Sequence, residues 1–390
     1  MTTTPATANS TSMRLADRAE IAPFKVMEVF ERANARIDQG AEVVRLEVGQ
    51  PLTPAPRGVI DRAKQVLDED RLGYTMPNGL IELRTAIAAH YDDWYGLDID
   101  PGRIAVSMGA SGGFSLAFLT AFDVGDRVAV TVPGYPCYRN ALSAIGVEAV
   151  PLRATLEDDF QPTVAGLEAL GDLDGVVLTS PSNPTGTMLS DTRLAEIVAW
   201  CRSNDVTVVS DEIYHGLAYE QPAVTALAHS DQLIVVNSFS KYFSMTGWRL
   251  GWLVLPEQAV EPVTHMAANL LLAPPTLSQL AAVAAFDCHD ELQGHIARYR
   301  QNRSVLLDGL RSIGIDRFAP AHGAFYVYAD VSHLTDDSED LCRHWLDEVG
   351  VATTPGTDFD PDQGQSYVRF SFCGATEDCE RAIELLAKSV

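Results

Sequence analysis

Lysine is nearly missing from this chain of 390 residues, which has only four: Lys25, Lys64, Lys241 and Lys388. The 28 lysines and arginines face 53 aspartates and glutamates, so the formal net charge is −25 at pH 7. Such a charge argues against nucleic acid as a partner, because phosphate backbones are bound by clustered basic side chains. It argues in the same way against binding to anionic membrane surfaces.

Long apolar runs and paired cysteines are missing too. No apolar stretch approaches the roughly 18 residues of a membrane span. The six cysteines form no CxxC pair and no zinc-ligand spacing, which predicts reduced thiols, no metal site and a cytoplasmic protein. Residues 1–13 are rich in Thr, Ala and Ser and lack the charged start and apolar core of a signal peptide. They are predicted to be a disordered tail.

Short β-branched segments alternate with helical patterns through the middle of the chain. This alternation predicts an α/β fold in which a mostly parallel sheet is covered by helices on both faces. The predicted strands are 104–108, 127–132, 175–180, 206–210, 233–238 and 250–255, and the predicted helices are 111–122, 135–145, 191–203 and 275–288. From 289 to 390 a long helix, two strands and two further helices predict a smaller α+β domain.

Lys241 stands out among the four lysines because of its setting in the segment SFSKYFSMTGWRLG, residues 238–251. An ammonium group can lose its proton where its surroundings disfavour charge, and the free amine can then attack a carbonyl carbon to form a Schiff base. A guanidinium group cannot do this near pH 7. The sequence therefore predicts that Lys241 is a reactive amine.

Five further motifs fall at or near predicted strands. SMGASGG at 107–113 joins a strand to a helix, where glycines and free N–H groups can bind an anion. The motifs PGYP, SPSNPTG, SDEIY and YVRFS contain Tyr135, Asn183, Asp211 and Arg369. Each motif also has a purely structural interpretation, such as a tight turn, a core tyrosine, a helix cap or a solvent-facing arginine.

In this order the six motifs resemble those of the pyridoxal-phosphate (PLP) aminotransferases, class I/II, of the aspartate aminotransferase superfamily. The resemblance extends from about Arg14 to the C-terminus. It implies fold type I, with a large PLP-binding domain at 46–288 built on a seven-stranded sheet. It also implies that residues 14–45 pack on the small domain, 289–390, and that the protein is a homodimer with shared active sites.

The resemblance also assigns roles to individual residues. Lys241 would form the internal aldimine and carry out the 1,3-proton shift. Asp211 would pair with the pyridine nitrogen, while Tyr214 and Asn183 would bind the phenolic oxygen. The other residues implied for cofactor binding are Ala110, Ser111, Gly112, Tyr135, Ser238, Ser240, Arg249 and, from the neighbouring subunit, Tyr74.

For the substrate, the resemblance implies that Arg369 binds the α-carboxylate, together with Asn183 and the backbone of Gly49. The reaction implied is transfer of an amino group from an L-amino acid to a 2-oxo acid. The same residue types serve other PLP reactions, so a carbon–sulfur β-lyase or another amino-acid lyase stays open. A regulator is disfavoured, because no DNA-binding domain fits before residue 14. The apolar segment 269–273 favours a neutral, aromatic or broad range of amino donors.

Overall fold

The architecture is that of an α/β protein built on one large sheet. A computed structural model of the protein describes residues 13–69 and 71–389, so the predicted tail at 1–13 lies outside the described residues except for Met13. The strands are β1 (Val44–Arg45), β2 (Ile104–Ser107), β3 (Arg127–Val132), β4 (Glu148–Arg153), β5 (Gly175–Thr179), β6 (Thr207–Asp211), β7 (Ile234–Ser238), β8 (Gly251–Val254), β9 (Tyr326–Asp330), β10 (Val351–Ala352), β11 (Thr354–Pro355) and β12 (Tyr367–Ser371).

The helices lie between these strands and at both ends of the described chain. They are α1 (Lys25–Asp38), α2 (Arg57–Glu69), α3 (Ile81–Tyr95), α4 (Gly109–Ala121), α5 (Pro136–Ala144), α6 (Val164–Glu168), α7 (Asp191–Ser203), α8 (Glu257–Leu270), α9 (Thr276–Ala282), α10 (His289–Ser312), α11 (Ser338–His344) and α12 (Thr376–Leu386). No helix in the described ranges is long and apolar enough to cross a lipid bilayer.

Seven of the described strands form the large sheet, in the order β2-β8-β7-β6-β5-β3-β4. Strands β3 to β7 pair in parallel, whereas β8 runs antiparallel to both of its neighbours, β2 and β7. All five residues of β7 and all four of β8 are buried, as expected for strands covered on both faces. The predicted α/β fold with a mostly parallel seven-stranded sheet is confirmed.

Strand β4 was not predicted from the sequence. It lies at the edge of the large sheet, where buried and exposed positions are mixed, and it contains Pro151. Proline cannot donate a hydrogen bond to a neighbouring strand and is therefore tolerated at a sheet edge. The predicted helix 275–288 is also shorter than expected, because α9 ends at Ala282 and a 3₁₀ helix, Val283–Asp287, follows it.

The strand directions bring the sequence motifs to one edge of the sheet. Strand β2 runs in the same direction as β7, because both pair antiparallel with β8. The carboxyl ends of β2, β5, β6 and β7 therefore meet at one edge, which is where open α/β sheets bind ligands. The segments that follow these ends carry Ser111, Asn183, Asp211 and Lys241.

A second sheet, β11-β12-β9, is antiparallel and belongs to the C-terminal part of the chain. Residues from the start of the chain pack here, since β1 pairs in parallel with β10. Helix α1 has no side-chain cap of its own. Instead, the carboxylate of Asp358 accepts hydrogen bonds from the Lys25 N–H at 3.0 Å and the Val26 N–H at 3.4 Å. The domain boundaries themselves stay a prediction.

The cap supplied by Asp358 leads to a first testable prediction. In Asp358→Ala the first N–H groups of α1 lose their acceptor, so we expect the free energy of unfolding to fall by about 1 kcal/mol. Urea unfolding followed by circular dichroism measures this change. Asp362→Ala is the control, because the ion pair of Asp362 with Arg153 is exposed and such pairs contribute about 0–1 kcal/mol. If Asp358→Ala unfolded like the wild-type protein, Asp358 would not anchor α1.

Candidate active site

A cavity of 460 Å³ opens at the carboxyl edge of the large sheet. Its wall is completed by α1, by the segment after β1, and by β9 and β12. The cavity brings together residues that are separated by more than 300 positions in the sequence. The predicted site residues on its wall are Gly49, Ala110, Ser111, Tyr135, Asn183, Asp211, Tyr214, Ser240, Lys241, Arg249 and Arg369.

Three predicted site residues are not on this wall. Gly112 lies in the first turn of α4, one residue beyond Ser111. Ser238 is buried, and its Oγ lies 2.9 Å from the Leu250 carbonyl and 3.1 Å from the Ser240 N–H, so it shapes the turn that carries Ser240. Tyr74 is 87% exposed on this chain. The cofactor roles of these residues stay predictions.

The start of α4 forms a cradle for an anion. Its first N–H groups have no intrahelical acceptor, and the residue before the helix, Met108, does not cap them with its side chain. Gly109 has φ +73°, and a Cβ at this position would lie 2.6 Å from Arg249 Nη2. The guanidinium therefore lies directly over the helix start, and the Ser111 and Ser240 side chains line the same cavity. This is the donor set that a phosphate group requires.

Asp211 supplies a buried carboxylate at the end of β6. Its Oδ1 accepts a hydrogen bond from the Ile213 N–H at 2.9 Å, and its Oδ2 accepts one from the Tyr138 hydroxyl. Burial raises the pKa of Asp211 to about 6, although the Tyr138 hydrogen bond opposes this rise. A carboxylate held in this position favours a cationic partner in the cavity.

Lys241 supplies the amine. Its Nζ donates a hydrogen bond to the carbonyl of Gly49 at 2.6 Å and lies 5.8 Å from the centre of the Tyr214 ring. Burial lowers the pKa of Lys241 to about 8. At pH 7 about a tenth of the molecules therefore carry Lys241 as an uncharged, nucleophilic amine, and this fraction rises steeply above pH 7.

Arg369 is buried on β12 and holds its guanidinium between two aromatic rings. The Cζ atom lies 4.5 Å from the centre of the Tyr326 ring and 4.7 Å from that of Phe359. Nη1 donates to Asn183 Oδ1 at 2.8 Å, and Nη2 donates to the carbonyl of Glu47. Its Nε is buried and has no hydrogen-bond partner within residues 13–69 and 71–389. A buried N–H without a partner fits a site that receives an anion.

Helix α1 and strand β9 supply residues of the wall that the sequence analysis did not single out. Val26, Met27 and Phe30 of α1 lie on the wall, whereas Phe24 stacks on Tyr135 outside the cavity. Tyr326 of β9 also lines the cavity, and its hydroxyl lies 2.8 Å from that of Tyr214. The contact of α1 with the cavity depends on packing between distant segments, which no local pattern reveals.

Residues 41–386 match the family model described as aminotransferase class I and II. The chain belongs to the class I and II aminotransferase family. It is similar to a valine–pyruvate aminotransferase of Mycobacterium tuberculosis, with 48% identity over 95% of this chain and 97% of that protein. It is also similar to an aspartate aminotransferase of Thermotoga maritima, with 30% identity over 94% of this chain and 96% of that protein.

The similarity of this chain to solved structures supports the same family. The crystal structure of an aminotransferase from Mycobacterium tuberculosis matches with a TM-score of 0.95 and 48% identity, over 97% of this chain and 99% of that one. The protein is therefore a PLP-dependent aminotransferase of fold type I, and the alternative of a carbon–sulfur lyase is not favoured.

Three independent features of the cavity match chemical groups of PLP. The cradle at Gly109 and Arg249 suits a phosphate group, the buried carboxylate of Asp211 suits a protonated pyridine nitrogen, and the amine of Lys241 suits an aldehyde. The half-buried ring of Tyr135 lies on the same wall and offers an aromatic face. These chemistries are distinct, and PLP requires all of them in one site.

The buried carboxylate of Asp211 gives a second prediction. Burial raises the pKa of Asp211 from 3.8 to about 6. The protonated side chain therefore stabilises the fold below pH 4, and the free energy of unfolding falls by roughly 3 kcal/mol as the pH rises through 6. Asp211→Asn removes this loss. We expect the cofactor-free variant to be more stable than the wild-type protein at pH 7 and to bind PLP roughly 100-fold more weakly. Thermal unfolding and fluorescence titration with PLP measure the two effects.

The matched control is Glu212→Gln. Glu212 is the neighbouring buried acid, its pKa is raised to about 7 by burial, and it does not line the cavity. This variant should keep its affinity for PLP. Unchanged PLP affinity in Asp211→Asn would contradict the pairing of Asp211 with the cofactor.

Proposed function

We propose that this aminotransferase acts on L-amino acids with a neutral, apolar side chain and passes the amino group to a small 2-oxo acid. The observation that carries this proposal is the apolar wall that α1 supplies through Val26, Met27 and Phe30. Among the described residues on the cavity wall, the basic ones are Lys241, Arg249 and Arg369. All three have roles at the amine, the phosphate and the α-carboxylate, which leaves no cation for a second substrate carboxylate.

The similarity to the Mycobacterium tuberculosis valine–pyruvate aminotransferase supports this substrate class. Aspartate aminotransferases are also among the relatives, but at lower identity. A branched aliphatic side chain would bury its methyl groups against α1, at about 0.8 kcal/mol per buried methylene. A carboxylate in the same place would be desolvated without a partner, which is strongly unfavourable.

We assign the cofactor contacts residue by residue. When bound, PLP supplies an electron sink for the carbanion that forms at the substrate Cα. Asp211 would keep the ring nitrogen protonated, Tyr135 would pack on the ring face, and Asn183 and Tyr214 would donate to the phenolic oxygen. The phosphate would be held by Ala110, Ser111, Gly112, Ser240 and Arg249, with Ser238 supporting Ser240.

Lys241 would be the group that moves the proton. Its Nζ has a lowered pKa of about 8 and so can accept a proton from the substrate Cα and release it again in the same pH range. The carbonyl of Gly49 holds this nitrogen at 2.6 Å and limits the positions that it can sample.

Arg369 would bind the substrate α-carboxylate in a two-pronged pair, assisted by Asn183. Its Nε has no hydrogen-bond partner among the described residues, and the rings of Tyr326 and Phe359 restrict the movement of the guanidinium. The carboxylate is thereby held at one end of the cavity, and the side chain of the substrate is directed towards α1.

The substrate proposal is tested by single-turnover absorbance measurements without an oxo acid. The visible absorbance band of the PLP enzyme should disappear at least tenfold faster with valine, leucine or isoleucine than with aspartate or glutamate at the same concentration. Met27→Ala should lower kcat/KM for valine by roughly three- to tenfold, because less apolar surface is buried, and should change it less for alanine. Equal rates with aspartate and valine would contradict the proposal.

We further propose a cytoplasmic homodimer with shared active sites. Large apolar side chains are exposed in two segments: Tyr74 and Met76 lie in one loop, and Leu270 and Leu272 lie at the end of α8 and just after it. Gln279 of α9 links the loop to the chain that follows α8, since its Nε2 donates to Thr75 Oγ1 and to the carbonyl of Pro274, each at 3.0 Å. A cluster of exposed apolar residues of this kind is typical of a surface that is covered by a partner. In the dimer Tyr74 would reach the phosphate site of the partner.

A mixing experiment tests the shared site. Tyr74→Ala and Lys241→Ala should each have little activity alone. After the two are unfolded and refolded together, hybrid dimers contain one site with an intact Lys241 and a partner's intact Tyr74. Activity should then recover to about a quarter of the wild-type value, because random assembly restores about one site in four. No recovery would place Tyr74 in its own subunit's site, and full activity of Tyr74→Ala alone would remove its role.

A further inference from the structure

Tyr326 lies at the junction of three groups of the active site. Its side chain is 1% exposed, its hydroxyl is 2.8 Å from that of Tyr214, and its ring centre is 4.5 Å from Cζ of Arg369. The hydroxyl also abuts the backbone of Gly49, where an added Cβ would overlap it. Gly49 in turn holds Lys241 through its carbonyl. One side chain thus contacts the groups proposed for the phenolic oxygen and the carboxylate, as well as the backbone that holds the amine.

The direction of the hydrogen bond between the two tyrosines follows from counting hydrogens. A phenol has one hydrogen to donate and two lone pairs that accept. If Tyr214 donates its hydrogen to the phenolic oxygen of the cofactor, it can only accept from Tyr326. The Tyr326 hydroxyl must then be the donor in the 2.8 Å contact.

We propose that Tyr326 is a positioning residue with two separable effects: its hydroxyl donates to Tyr214 and strengthens the hydrogen bond from Tyr214 to the cofactor, and its ring orients Arg369 for the substrate carboxylate. The proposal rests on the proposed function and adds a residue that connects the cofactor end of the site to the carboxylate end. Hydrogen bonds in such a chain polarise one another, so loss of the first donor weakens the second. The ring face attracts the guanidinium independently of the hydroxyl.

The two effects are separated by two substitutions. Tyr326→Phe removes the donor and keeps the ring, whereas Tyr326→Leu removes both. A donor to the phenolic oxygen stabilises its negative charge and so lowers the pH at which the visible absorbance of the bound cofactor changes. Both variants should therefore raise this pH by about half a unit or more. Only Tyr326→Leu should weaken binding of 3-methylbutanoate, a carboxylate that lacks an amino group, by about tenfold.

Both readouts are measured on the PLP enzyme without turnover. A pH titration of the visible absorbance reports the first effect, and the absorbance change on adding 3-methylbutanoate reports the second. Tyr328→Phe is the control: Tyr328 is buried on the same strand, it stacks on Tyr367 at 4.8 Å, and it does not line the cavity. It should change neither readout.

Tyr214→Phe separates failure of this inference from failure of the proposed function. If Tyr214→Phe raises the titration pH and Tyr326→Phe does not, Tyr326 does not act through Tyr214, and the proposed function still stands. If neither variant raises it, the assignment of Tyr214 to the phenolic oxygen is wrong, and this part of the inference falls with it. Unchanged 3-methylbutanoate affinity in Tyr326→Leu would overturn the second effect.

Discussion

A carboxylate buried at the end of the central strand β6 is the constraint around which the site is built. Asp211 is 3% exposed, and burial raises its pKa to about 6. The fold keeps it largely ionised at neutral pH by directing the Ile213 N–H and the Tyr138 hydroxyl at its two oxygens. Thr179 donates to the Tyr138 hydroxyl at 3.0 Å and so fixes the second donor. In the proposed PLP complex, a cationic ring nitrogen would compensate this charge.

The other charged groups of the cavity are also unfavourable in the empty protein. Lys241 has a lowered pKa because it is desolvated, and Arg369 Nε is buried without a hydrogen-bond partner among the described residues. Each of these features lowers the stability of the empty protein and would become favourable on the proposed binding of cofactor and substrate. A site with three such groups is less stable when empty, which links cofactor retention to the stability of the whole fold.

The sequence indicates those parts of the site that depend on local order. Lys241, Asp211, Asn183 and the glycine-rich turn each lie at a strand end, where a short motif defines both conformation and chemistry. Parallel pairing then brings them to one edge, and this could be predicted because β-branched strands alternate with helices. Strand β4 escaped prediction because its hydrophobic pattern is broken at the sheet edge.

Tyr326 was not predicted as a site residue for a different reason. Its place opposite Ser371, two positions from the pair Tyr328 and Arg369, is set by the antiparallel register of β9 and β12. These strands are about 40 residues apart, and neither one's pattern distinguishes a pocket tyrosine from a core tyrosine. Val26 and Phe30 depend on contacts that span most of the chain. In this chain the proposed specificity thus depends on long-range packing, whereas the proposed chemistry depends on local motifs.

The C-terminal part of the chain positions both the residue proposed to bind the carboxylate and the helix that supplies the apolar wall. Phe359 packs on one face of Arg369, and the preceding residue, Asp358, caps helix α1. The residue proposed to bind the substrate carboxylate and the helix proposed to contact the substrate side chain are therefore both held by two consecutive residues. A change that moves one of these contacts relative to the other would alter the distance between the carboxylate site and the apolar wall. Under the proposed function, the 358–359 segment would thus help to determine the length of side chain that the enzyme accepts.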